Sequence, residues 1–166
     1  MNNLFNELII TLDDLVDRCQ ALLDILKLEK QAILRASVDD LNAIRAKKED
    51  LIQAIQVIDS RRFDLLSGLA MNFNVDQNSL TVSSLAELAG NPFSGPLFRL
   101  SDRLSTLLKN IQDVNKANQS LLDHSISFVR SAVSFLSHLL TPSPVYYRTG
   151  KMSSGDTSGR LLSGAA

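Results

Sequence analysis

The first 67 residues contain neither glycine nor proline, and this feature limits the fold more than any other. From Leu8 to Leu69, mostly apolar residues recur at alternating steps of three and four. Glu29 occupies the one gap in the first run, and Lys48 and Arg62 are charged members of the second. The first run consists of Leu8, Leu12, Leu15, Cys19, Leu22, Leu26 and Ile33, and the second of Leu41, Ile44, Lys48, Leu51, Ile55, Ile58, Arg62, Leu65 and Leu69. This rhythm is typical of the apolar seam of a coiled coil. It predicts two long helices and disfavours strands with tight turns.

The segment between the two runs predicts a short connection. Ser37 is suited to be the N-cap of the second helix, and Asp40 would then face the positive end of that helix. A short connection makes the two helices antiparallel neighbours. A register that sets Ile33 opposite Ile44 also brings Leu26 opposite Leu51.

The same register sets Glu29 opposite Lys48, and these are the first charged members of their seams. We therefore predict a buried or half-buried ion pair that fixes the register, at some cost in stability. The alternative is that both side chains extend along the seam and reach water separately.

A short helix and a third long helix are predicted after the hairpin. The rhythm fades after Gly68, and the polar stretch from Asn72 to Asn78 predicts a loop. Residues 84–89 predict a short connector helix across the bundle end, with Ser84 as its cap residue and a stop at Gly90 to Pro92. The last helix would open at residues 94–96, since proline is tolerated in the first turn.

The third seam is the longest. It consists of Leu97, Leu100, Leu104, Leu107, Ile111, Val114, Asn118, Leu121, Ser125, Phe128, Ala132, Phe135 and Leu139. At ~1.5 Å per residue it would be roughly 65 Å long, against about 50 Å for each of the first two helices. The third helix should therefore overhang its partners or bend, leaving an apolar stripe partly uncovered. A partner helix or a second copy of the chain could cover such a stripe.

The composition changes from Thr141 onwards, where proline, serine, glycine and threonine prevail. We predict an all-α fold: an elongated, antiparallel, coiled-coil-like bundle of three long helices and one short connector in residues 1–140, and a disordered tail in residues 141–166. Val145, Tyr146 and Tyr147 form a small apolar cluster in this tail that could dock on a partner.

Charge and composition exclude several functions. The 17 basic and 18 acidic residues are interleaved, which gives no basic stripe for nucleic acid. The single cysteine, Cys19, cannot form an internal disulfide, and we interpret it as a core residue in a reducing compartment. The N-terminus lacks the pattern of a secretory signal, and the apolar stretch from Ile126 to Leu140 is shorter than the ~20 residues that span a bilayer. We expect a cytoplasmic protein without membrane insertion.

No constellation of catalytic residues emerges from the sequence. His124 and His138 are the only histidines, and neither has metal ligands at a suitable spacing. His124 is not typical of a phosphorelay histidine, because the lysine and glycine usual after such a histidine are missing. We predict no enzyme activity, no metal and no cofactor.

Two short segments resemble a known family. The run Val114-Asn115-Lys116-Ala117-Asn118-Gln119-Ser120-Leu121-Leu122 and the closing Tyr147-Arg148-Thr149-Gly150 are similar to those of the FlgN-type flagellar export chaperones. The resemblance extends to the leucine-rich first helix reaching Glu29 and to the second helix with Lys48.

The resemblance implies a cytosolic chaperone of type III flagellar export. Such a protein binds the C-terminal helical segments of hook-associated proteins, prevents their premature assembly and delivers them to the export gate and its ATPase-associated components. The residues implied in partner binding are Asn115, Asn118, Leu121, Leu122, Phe128, Tyr146, Tyr147 and Gly150. Asn115 and Asn118 could equally fix helix register. A non-catalytic coiled-coil adaptor or tether remains the rival interpretation, and the sequence leaves monomer and dimer open.

Overall fold

The computed structural model describes residues 2–76 and 80–140, without the side chains of residues 139 and 140. These residues form four helices: α1 (Asn2–Leu34), α2 (Val38–Phe73), α3 (Val82–Ala89) and α4 (Ser94–Leu140). No strand occurs in the described part of the chain. The prediction of an all-α protein with three long helices and one short connector is confirmed.

The turn between α1 and α2 has the predicted cap. The hydroxyl of Ser37 accepts a hydrogen bond of 3.4 Å from the backbone N–H of Asp40, and Asp39 and Asp40 lie in the first turn of α2. Acidic side chains stabilise this positive helix end. Ala36 takes a left-handed conformation, with φ of 52°. The chain therefore reverses direction within three residues and brings α2 back along α1.

Helix α1 buries one continuous side. The buried set includes every predicted seam residue of this helix except Leu22, which is half-buried. Cys19 lies in a cluster with Leu15, Val16, Leu23 and Leu107, and Ile55 and Ile58 of α2 pack against that cluster. Burial, and next the negative charge of Asp59, raise the pKa of the Cys19 thiol. The thiol therefore behaves as a small apolar core group.

Helix α2 is longer than the loss of the three-four spacing after Gly68 predicts. It passes through Gly68 and ends at Phe73, with Asn74 as a left-handed C-cap that donates to the carbonyls of Ala70 and Met71. A glycine inside a helix costs only about 1 kcal/mol relative to alanine. Burial of the following Leu69 and Ala70 outweighs this cost. The predicted loop over Asn72–Asn78 is wrong at its start for this reason, and residues 77–79 lie outside the described residues.

Helix α3 closes one end of the bundle. Its N-cap is Thr81, which forms a reciprocal capping box with Ser84, so the helix begins earlier than the predicted cap at Ser84. Leu85 and Ala86 are fully buried in a cluster that also contains Leu97 of α4. Phe5 of α1 completes this end, because its ring stacks on Phe93 at 5.0 Å and meets the edge of the Phe73 ring at 6.1 Å. These contacts fix where α4 starts relative to α1.

Tertiary contacts divide the chain into two units, Met1–Leu121 and Leu122–Ala166. The first contains α1, α2, α3 and the first part of α4, whose Leu97 and Leu107 are buried. The second contains the rest of α4. The prediction of one bundle over residues 1–140 stays a prediction, and the predicted disordered tail of residues 141–166 lies outside the described residues.

Candidate partner-binding surface

The second part of α4 carries a row of exposed apolar side chains. We call these residues the α4 face, and their exposed fractions range from 48% to 75%. They are Ile126, Phe128, Val129, Val133, Phe135 and Leu136. Phe128 and Phe135 are seven residues apart, so they project from the same side of the helix two turns from each other. Contiguous apolar surface of this kind marks an interaction site more often than a feature of a free monomer.

Phe128 and Phe135 of the α4 face continue the seam whose earlier residues lie in the core of the first unit. Leu97, Leu107 and Asn118 occupy the same seam and are buried. From Ser125 to residue 138 every described side chain is exposed. The three-four spacing of the seam thus continues beyond Leu121, but its side chains are no longer buried. The structure contains the partly uncovered apolar stripe that the sequence predicts.

A polar cluster joins three helices inside the first unit. Lys48 Nζ lies 2.5 Å from Glu29 Oε1, so the two side chains form an ion pair instead of reaching water separately. Asn118 Nδ2 donates to the other carboxylate oxygen of Glu29 at 3.0 Å and to the backbone carbonyl of Leu26 at 2.8 Å. One carboxylate on α1 is therefore held by a cation on α2 and an amide on α4.

Asn118 is only 1% exposed, and its Oδ1 atom has no hydrogen-bond partner in the described part of the chain. A buried amide fixes the register of a helix because any shift would leave more of its polar atoms unpaired. Of the two interpretations offered for Asn118, its burial supports the one in which it sets helix register. Direct contact with a partner would require the bundle to open.

The other residues implied in partner binding lie in different surroundings. Asn115 is exposed one turn before Asn118, and Leu121 and Leu122 are half-buried. Phe128 is 75% exposed and belongs to the α4 face. The remaining three, Tyr146, Tyr147 and Gly150, lie outside the described residues.

The predicted binding set contains only one residue of the α4 face, Phe128. It omits Ile126, Val129, Val133, Phe135 and Leu136. The signal was present in the sequence, since α4 has apolar residues beside its seam as well as on it, which widens the apolar side of a helix. The exposure of these residues could not be predicted from the sequence, because a wide apolar side is equally typical of a buried helix.

No group of three His, Cys, Asp or Glu residues that could hold a metal ion occurs in residues 2–76 and 80–140. Among the same residues, no helix is long and apolar enough to cross a membrane.

Exposed apolar side chains along one helix are typical of a surface that binds another protein. The family profile described as "FlgN protein" matches residues 1–154, nearly the whole chain. No curated protein and no solved structure matches. The chain therefore belongs to the FlgN family, a family of flagellar export chaperones that bind flagellar proteins.

Proposed function

We propose that the protein is a cytoplasmic chaperone that binds the C-terminal helical segments of hook-associated flagellar proteins, prevents their premature assembly and delivers them to the export gate and its ATPase-associated components. Membership of the FlgN family supports the general role. The observation that carries the specific proposal is the α4 face, with its exposed apolar side chains. No catalytic step and no cofactor is part of this function.

The α4 face suits an amphipathic helix of a partner. Ile126, Val129, Val133 and Leu136 recur at steps of three and four, which allows a second helix to pack along them. Burying a large apolar side chain contributes roughly 1.5–3 kcal/mol, so Phe128 and Phe135 alone supply a useful share of the binding energy before the costs of association. A subunit that must stay unassembled exposes an apolar helix of this kind, and covering it reversibly keeps it from polymerising.

The other residues have distinct roles in this proposal. Asn115, Leu121 and Leu122 precede the α4 face along the same helix and bind the end of the partner segment in this proposal. Asn118 acts indirectly, because its buried amide holds α4 against the α1–α2 hairpin. Tyr146, Tyr147 and Gly150 belong to the segment after Leu140 and add aromatic and backbone contacts to the partner in this proposal.

Calorimetric titration tests the proposal. The whole chain and a version ending at Leu140 are titrated with C-terminal helical peptides from the hook-associated proteins of the same organism. We expect saturable binding at about one to one, weaker in the shortened chain if the tail contributes. Binding unchanged by the truncation would restrict the site to α4, and no heat with any such peptide would favour the adaptor or tether.

A polymerisation assay tests the second part of the proposal. Light scattering by a hook-associated subunit that assembles on its own should be suppressed by one equivalent of the chain. Suppression should disappear when the C-terminal peptide of that subunit is added in excess, because it competes for the same surface. Suppression that survives the competing peptide would place the contact elsewhere.

A further inference from the structure

A second surface, distinct from the α4 face, lies within the first unit. Residues of α1 and the start of α4 line an open cavity of about 450 Å³. This volume is within the range of roughly 300–1,000 Å³ that is typical of sites for small ligands or a few side chains. The α1 side contributes Ile9, Ile10 and Asp13, and the α4 side contributes two arginines, Arg99 and Arg103.

The two arginines are exposed and lie one helical turn apart on α4. No ion pair joins either of them to an acidic side chain of the described residues, whereas six other basic side chains there have such partners. The guanidinium of Arg99 lies back towards the first turn, 4.0 Å from the position that a Cβ would take at Gly95. The positive end of the helix dipole adds to the positive charge of the arginines at this point. The α4 wall of the cavity is therefore cationic, and neither arginine forms an ion pair within the described residues.

Apart from Asp13, the opposite wall is apolar. Ile10 is 67% exposed, and Ile9 beside it is half-buried. Pro96 adds a rigid apolar edge on the α4 side. A lone anion would use only the arginines and leave this apolar wall uncovered. Nucleic acid would need a longer basic stripe, and the carboxylate of Asp13 lies in the same cavity.

We propose that this cavity binds an acidic helical segment of a partner protein, in which two carboxylates one turn apart pair with Arg99 and Arg103 while a neighbouring aliphatic side chain packs on Ile9 and Ile10. The spacing fits because side chains one turn apart are about 5–6 Å from each other on both helices. Arginine binds carboxylates through two parallel hydrogen bonds, which gives the contact direction as well as charge. This inference does not rest on the function proposed for the α4 face.

Fluorescence polarisation with a designed probe tests the inference. The probe is a labelled synthetic helical peptide with two glutamates one turn apart and a leucine beside them, and the control peptide has glutamine in place of both glutamates. We expect the whole chain to bind the glutamate peptide at least about tenfold more tightly than the control peptide, since two charge-assisted pairs are lost in the latter. The difference should shrink as salt is raised.

Variants of the chain separate this site from general charge effects. Arg99→Gln with Arg103→Gln should weaken binding of the glutamate peptide by at least about tenfold. The matched control is Lys109→Gln with Lys116→Gln, which removes the same charge from exposed positions of the same helix and should leave the affinity unchanged. Ile10→Ser should weaken binding several-fold, and Asp13→Asn should tighten it because a repelling carboxylate is removed. Thermal unfolding by circular dichroism checks that each variant is folded.

Several results would overturn the inference. They are no binding of the glutamate peptide, equal binding of both peptides, or an equal loss in the lysine control. Binding that inorganic sulfate displaces and that Ile10→Ser leaves unchanged would indicate an anion site without a peptide partner. A DNA oligonucleotide that competes as well as the glutamate peptide would likewise refute an acidic protein segment as the occupant.

Discussion

The carboxylate of Glu29 accepts a hydrogen bond of 3.0 Å from the side-chain amide of Asn118, which lies 89 residues further along the chain. The same carboxylate forms an ion pair with Lys48, so α1, α2 and α4 meet at one acidic side chain. A helix that packs through an apolar seam can shift along its neighbour by a whole heptad at little cost, because one leucine then takes the place of another. A single polar cluster forbids such shifts, and it therefore determines where α4 lies along the hairpin.

Asn118→Asp should test the importance of this cluster. The change places a second carboxylate beside Glu29 in a buried position, where two like charges are poorly solvated. We expect a loss of about 2–4 kcal/mol in the free energy of unfolding at neutral pH, measured with urea. The control Asn115→Asp, exposed one turn earlier, should stay within about 0.5 kcal/mol of the parent. Equal effects of the two substitutions would contradict the packing of α4.

Lys48→Met should show whether the buried ion pair contributes more to the stability of the fold than an exposed ion pair does. It leaves the carboxylate of Glu29 without its cation in a largely buried place, and we expect a loss of about 1–3 kcal/mol. The control Arg45→Met breaks the exposed pair between Arg45 and Glu49 and should destabilise the fold clearly less than Lys48→Met does. Chemical unfolding of both variants provides the comparison. A cost for Lys48→Met no larger than that of Arg45→Met would mean that the cluster adds no stability.

The register of the hairpin could be predicted from the sequence because both of its seams contain a charged residue at a matching place. A register that places Ile33 opposite Ile44 also places Glu29 opposite Lys48, and in the structure these two side chains form an ion pair. The partner of Glu29 on the third long helix could not be predicted. The α4 seam is entirely apolar before Asn118, so its spacing is compatible with several registers against the hairpin.

The ends of helices were harder to predict than their existence. Gly68 and the polar residues after it indicate a helix end, yet α2 continues to Phe73 because Leu69 and Ala70 are buried by distant parts of the chain. The exposure of the α4 face likewise could not be predicted from the spacing of its apolar residues. Whether an apolar seam is covered depends on the length and placement of the other helices.

Leu85→Ala should show how much the connector helix α3 contributes. Leu85 is fully buried at the bundle end, and a cavity left there should cost about 2–5 kcal/mol. Leu88→Ala, on the exposed side of the same short helix, should cost less than about 1 kcal/mol. Thermal unfolding by circular dichroism measures both. A small effect at Leu85 would mean that α3 does not close the bundle.

The Cys19 thiol should be protected in the folded chain. Burial and the charge of Asp59 raise its pKa, so the reactive thiolate is scarce. Reaction with a thiol reagent at mildly alkaline pH should be at least about a hundredfold slower in buffer than in denaturing urea. Because the unfolded chain loses the thiol proton at lower pH than the folded chain, the free energy of unfolding should fall as pH rises past the ordinary thiol range. Cys19→Ala should remove this part of the pH dependence, and fast labelling in buffer would contradict the burial.

The measurement that tests the central claim most directly is the affinity of the C-terminal peptide of a hook-associated protein for a variant of the α4 face. In Phe128→Ser with Phe135→Ser, two exposed aromatic side chains are removed without disturbing the core. We predict that binding weakens by at least about tenfold, while Phe63→Ser with Met71→Ser, which removes exposed apolar side chains from α2, leaves it unchanged. Unaltered affinity in the α4 variant, or an equal loss in the α2 control, would contradict the assignment of the α4 face as the chaperone's binding site.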